Sequence, residues 1–121
     1  MAFHNDLGKA GESIAKQYLE GKGYEILDEN WTHGKAEVDL IVYKNGIMVF
    51  VEIKSRSSIA FDEPEELVNK AKQIQMELAA NAYIEIMNHQ NDIRFDIIAI
   101  TFTNNKNYNL NHIEDAFWPE D

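Results

Sequence analysis

The dipeptide Asn45-Gly46, set between two apolar runs, constrains this chain more than any other feature. Both residues tolerate the positive φ of a two-residue hairpin turn, and Val38 to Val42 and Val49 to Ile53 read as the strands it joins. With that loop, Lys44 faces Ile47, and counting outward sets Asp39 opposite Glu52 and Glu37 opposite Lys54. Alternation of side chains then predicts Glu37, Asp39, Glu52 and Lys54 on one face. Carboxylates placed directly opposite repel unless something lies between them, and a divalent cation removes that penalty. An ordinary salt-bridge ladder between Glu37, Glu52 and Lys54 would suit a half-exposed sheet. These strands lack the alternating polar face such a sheet needs; their nearly continuous apolar runs belong to strands covered on both sides, where unpaired charge is unfavourable.

The metal chemistry open to such a site is narrow. The 121 residues contain no cysteine, so a disulfide framework and a thiolate metal site are both excluded. Oxygen ligands favour Mg2+ or Mn2+ over zinc. Asp39 and Glu52 suffice as protein carboxylates for such an ion, and the Ile53 carbonyl adds a third oxygen. Lys54, two residues after Glu52, would orient the attacking water or stabilise charge on a phosphate.

Length and a 45% hydrophobic content predict one packed domain spanning residues 1–121. The start has neither a basic leader nor an apolar stretch, and no segment is long enough to span a membrane, so the expected location is the cytoplasm. The chain has 21 acids against 11 Lys and Arg; 7 of the basic and 9 of the acidic residues occur through Ser58. That excess argues against broad, non-specific adhesion to a phosphate backbone. It leaves a nucleic-acid substrate open, because several acids would be offset by metal.

Along the chain, Asp6 caps a predicted helix from Leu7 to about Glu20, ended by Gly21 and Gly23. Glu12 falls at the edge of its apolar stripe, within reach of a sheet below. Tyr24 to Leu27 reads as a short strand and Asp28 to Gly34 as a turn-rich connection. After the hairpin, Ser57 to Phe61 reads as a loop and Asp62-Glu63-Pro64-Glu65-Glu66 as a helix start. Leu67, Ala71, Ile74, Leu78, Ala82 and Ile86 mark the predicted buried side of that second helix, and Asn88 to Asp92 its exit. Phe95 to Ile100 is a fourth strand, Tyr108 to Asn111 a possible edge strand, and Ile113 to Trp118 a short helical tail. The order implies an α/β fold with a mixed sheet of four or five strands flanked by helices, the third and fourth strands joined by a helical crossover.

Gly8-Lys9-Ala10-Gly11-Glu12, Gly23-Tyr24, Asn30-Trp31, Glu37-Val38-Asp39-Leu40-Ile41, Val49 to Arg56 and Arg94-Phe95-Asp96 together resemble the small bacterial proteins of the YraN or UPF0102 family. The likeness covers nearly the whole chain. That family is similar to the PD-(D/E)xK nucleases, so the resemblance implies the restriction-endonuclease-like fold also used by Holliday junction resolvases. It implies Asp39 as the strand carboxylate, Glu52 and Lys54 as the E-x-K pair, and Glu12 as the helix acid acting through a water. Related nucleases place supporting polar residues on the second helix, where Lys72 and Gln73 stand; a solvated helix face explains those two equally well. Ala36 replaces a glycine, and Thr32 an arginine, that are common in the family.

The expected activity is metal-dependent endonuclease cleavage, with DNA as the first candidate substrate and RNA as the second. A symmetric homodimer would act on two strands. The competing expectations are a non-catalytic nucleic-acid- or protein-binding module that keeps the fold, and an interaction protein whose acidic second half docks a basic partner. Arg94 and Asp96 share a strand face and can simply pair. His4, His33, His89 and His112 show no ligand spacing and read as surface or turn residues.

Overall fold

The computed structural model describes residues 3–57, 68–104 and 106–118. Its elements are α1 (Phe3–Gly21), β1 (Glu25–His33), β2 (Ala36–Lys44), β3 (Ile47–Ser57), α2 (Lys70–Met87), β4 (Ile93–Phe102) and β5 (Tyr108–Ile113). The five strands form one sheet in sequence order; β3 and β4 are parallel and every other neighbouring pair antiparallel. This is an α/β fold, a five-stranded mixed sheet flanked by two helices, consistent with the restriction-endonuclease-like architecture expected from the sequence.

The hairpin forms as the turn chemistry requires. Asn45 (φ 53°) and Gly46 (φ 82°) both take the left-handed region, and Lys44 pairs with Ile47. Because β3 and β4 are central, both of their faces are covered. Leu40, Val42, Val49, Val51, Ile98 and Ile100 pack beneath Ala15 and Leu19 of α1, and Val38, Ile41, Phe50, Phe95 and Ile97 pack beneath Met76, Ala79, Ala80 and Tyr83 of α2. Phe50 and Phe95 sit 5.7 Å apart at the centre of the second layer. Each such buried ring contributes roughly 1.5–3 kcal/mol.

Gly11 brings α1 hard against the sheet: a β-carbon there would overlap Ser55 Oγ. That contact seats the middle of α1 beside the C-terminal end of β3, the end that holds Glu52 and Lys54.

Several expectations are corrected. The first helix is already formed at Phe3, so Asp6 lies a turn inside it rather than at its cap. Strand β1 runs on to His33 through residues read as a connection, because a register shift at Leu27 and a positive φ at Asn30 (49°) let pairing with β2 continue. The buried side of α2 is Met76, Ala79, Ala80 and Tyr83, whereas Ile74, Leu78 and Ile86 are 43%, 56% and 68% exposed. Apolar residues ring this helix, so two stripes satisfy the same spacing. The alanines win because they let the helix axis approach the sheet closely, and Tyr83 donates its hydroxyl to Asp28 at 2.7 Å. Asn69 caps α2 by accepting from the Lys72 amide at 2.9 Å. Ser57, expected to open a loop, still ends β3, and the rest of that loop, the start expected at Asp62 to Glu66, Leu67 and the His4 side chain lie outside the described residues. No helical tail follows Ile113; that residue ends β5, and a turn follows. Among the described residues no helix is long and apolar enough to cross a membrane.

Candidate functional site

The β2–β3 ladder runs from Lys44–Ile47 to Leu40–Val51 and stops one step before the counted Asp39–Glu52 pair. The interruption can be traced to one residue. Ala36, Val38 and Ile41 belong to the layer under α2, Leu40 and Val42 to the layer under α1, so the alternation of β2 skips a step at Asp39. Asp39 therefore does not stand face to face with Glu52 as strict alternation predicts. Its Oδ2 reaches across and accepts the Ile53 amide at 2.8 Å, standing in for the missing backbone partner. Since the N–H and C=O of one strand residue point the same way, the Ile53 carbonyl is also turned toward β2, beyond the last ladder pair.

Glu52 and Lys54 follow Met48 and Phe50 onto the α2 side of the sheet. Glu52 is 4% exposed. Lys54 Nζ lies 3.3 Å from its Oε2, and Lys72 Nζ, from the first turn of α2, lies 3.5 Å from its Oε1. Neither Oε1 nor Ser55 Oγ has a hydrogen-bond partner, the only two such buried side-chain atoms among the described residues. A buried acceptor left so is unfavourable and calls for an explanation.

Burial pushes the Asp39 carboxyl up to about 6, with the Glu52 charge adding to the rise; the Ile53 amide and Lys72 oppose it, and Glu37 contributes weakly in the same direction as Glu52. An acid raised from 3.8 in this way disfavours the fold once it ionises. The contribution of Asp39 to the stability of the metal-free protein is therefore full below about pH 4 and is lost as pH rises through about 6. Asp39→Asn keeps an acceptor for Ile53 and removes the charge. The variant is expected to gain about 1–3 kcal/mol at pH 8 in chelator and nothing at pH 4, read by urea unfolding at both pH values. An equal effect at both pH values would sink the assignment.

The other expected residues are placed as follows. Glu37 is exposed and does not pair with Lys54; it offers its backbone carbonyl to Lys72 Nζ at 3.4 Å. Gln73 donates to the Val68 carbonyl, bracing the α2 start rather than entering the site. Glu12 is exposed on α1, next to Gly11 at the same end of the sheet, and makes no hydrogen bond or ion pair among the described residues. Two carboxylates, not three, converge here: no cluster of three or more His, Asp or Glu ligands occurs among the described residues. Two carboxylates with one oxygen unpartnered fit a hard divalent ion that retains several waters.

A second buried acid went unread as such. Asp96, fully buried, pairs with Arg94 as expected (2.8 and 2.9 Å) and also accepts from His112 Nε2 (2.7 Å) and the Asp115 amide (3.0 Å). His112 is thus an interior residue of the β5 edge and not a surface one; Tyr18 Oη meets its Nδ1 at 3.0 Å. Its isolation in sequence gave no signal of this.

The family described as "Uncharacterised protein family UPF0102" matches residues 11–100, which hold Asp39, Glu52, Lys54 and Lys72. A UPF0102 protein of Flavobacterium psychrophilum is 47% identical over 98% of both chains, one of Bacteroides thetaiotaomicron 43% over 98% of both, and one of Chlorobium limicola 37% over 96% of this chain and 95% of its own. On this likeness, nearly end to end, the chain belongs to the UPF0102 family.

Proposed function

We propose that the protein is a divalent-metal-dependent endonuclease of the PD-(D/E)xK type, hydrolysing phosphodiester bonds in branched or structured DNA. The observation that supports this most is the opening of the sheet at Asp39. There a half-buried and a buried carboxylate meet at the half-buried end of β3, and one Glu52 oxygen lacks a hydrogen-bond donor.

Asp39 and Glu52 would hold Mg2+ or Mn2+, with the Ile53 carbonyl as a third ligand. When bound, such an ion neutralises phosphate charge and supplies a nucleophilic water near neutral pH. Lys54, about one-third exposed, would meet the phosphate from the solvent side and stabilise charge as it develops. Glu12, from the middle of α1 on the other face of the sheet, would act only through a water.

Isothermal titration with Mn2+ tests the site. Wild type is expected to bind one ion, and Glu52→Ala and Asp39→Ala to bind it at least about tenfold more weakly, in line with the loss of a ligand. Equal affinity in all three proteins would overturn the reading. The net charge of −10 favours the other reading, a binding module that has kept the fold without catalysis. Cleavage separates the two.

A further inference from the structure

Lys72 stands where a lysine is unfavourable. The first turn of α2 contains no acid, and Lys70 and Lys72 both sit at the positive end of an 18-residue helix, where the dipole field disfavours a cation. The compensating anion is Glu52: Lys72 Nζ lies 3.5 Å from the carboxylate oxygen that has no hydrogen-bond donor. Lys54 already serves the other oxygen at 3.3 Å. A buried carboxylate flanked by two ammonium groups is neutralised in the metal-free state. It cannot keep both once a divalent cation arrives, because like charges crowded onto one partly buried carboxylate repel strongly.

The two lysines differ in where they can go. Lys54 is tied to β3, two residues from Glu52. Lys72 reaches in from another element on a flexible stem, is about one-quarter exposed, and already touches a second acceptor, the Glu37 carbonyl at 3.4 Å. We propose that Lys72 is the cation that an incoming divalent metal displaces from Glu52, and that the freed ammonium then takes a phosphate oxygen of the substrate. Metal and phosphodiester backbone thereby bind cooperatively. The inference rests on the metal site proposed above and assigns Lys72 a positioning role within it.

Removing a competing cation should strengthen metal binding, the opposite of what loss of a structural residue or a ligand would do. Titration with Mn2+ is expected to show Lys72→Met binding several-fold to tenfold more tightly than wild type, with Lys72→Arg returning toward wild type. Lys106→Gln, which removes the same charge from the remote β4–β5 turn, is expected to stay within twofold. In Mn2+, affinity for a synthetic four-way DNA junction is expected to fall several-fold in Lys72→Met and to stay unchanged in Lys106→Gln. Unchanged or weaker Mn2+ binding by Lys72→Met overturns the displacement, and unchanged junction affinity overturns the transfer to phosphate. Wild-type protein that binds no Mn2+ overturns the metal site itself, a result distinct from either.

Discussion

Lys54→Ala is expected to lower Mn2+-dependent cleavage of a synthetic four-way DNA junction by about 10²–10³-fold while leaving Mn2+ affinity no weaker than in wild type. The split between the two readouts follows from the geometry. Lys54 Nζ contacts Glu52 at 3.3 Å and is an electrostatic competitor of any ion on that carboxylate, so its removal does not impair metal binding. Its side chain is also about one-third exposed, unlike that of Glu52, and is therefore the group of the pair that a phosphodiester in solvent can meet. Lys54→Arg retains the charge but presents a planar fork in place of a point charge, and is expected to restore only part of the rate. Cleavage that survives in Lys54→Ala would remove this residue from the chemistry. A wild type that binds Mn2+ and the junction but leaves it uncut would favour the non-catalytic module.

The parts of this molecule that were legible in the sequence are those set by local rules. Asn45-Gly46 specifies a turn through backbone conformations few other residues adopt, and the turn specifies a register; the pairs from Lys44–Ile47 to Leu40–Val51 are those the count gives. The order of elements followed from the same punctuation. What could not be read depends on groups distant in the chain. The stripe of α2 that faces the sheet is chosen by how closely Ala79 and Ala80 let the helix approach, and Ile74, Leu78 and Ile86 offer a competing stripe of equal periodicity and greater hydrophobicity. Strand β1 continues past Leu27 because β2 is there to pair with it. At the candidate site, counting set Asp39 opposite Glu52, but the ladder stops one step short of that pair and the alternation skips at Asp39. That skip aims the aspartate at Ile53 and opens the ladder, and no residue type announces it.

Asp96→Ala is expected to destabilise the protein by about 3–5 kcal/mol, the largest stability effect of any single polar substitution proposed for it, measured by urea unfolding at pH 7. Burial alone would push this carboxyl up. Donors from His112, Arg94 and the Asp115 amide outweigh burial and hold it below the usual carboxylate range. A lowered carboxyl contributes stability that is present above the unfolded pKa near 3.8 and lost as pH falls through the lower folded value, so wild type should lose this contribution below about pH 4 and Asp96→Ala should show a flatter acid limb. The substitution strands Arg94 and His112 in the interior and releases the tie between β4 and the segment after β5, so amide exchange in Tyr108–Ile113 should rise with the loss of stability. A loss below 1 kcal/mol would mean that water replaces the acid readily, and would refute the network's structural role. Among the described residues, Glu52 and Asp96 are the two buried acids, and the contrast between them is what distinguishes scaffold from site. Asp96 has four donors on its two oxygens and needs nothing further, whereas Glu52 keeps one oxygen without a hydrogen bond beside a second carboxylate. The same stability measurement on Glu52→Gln, which leaves Lys54 and Lys72 without their anion but both partly exposed, should therefore show a smaller loss than Asp96→Ala in metal-free buffer.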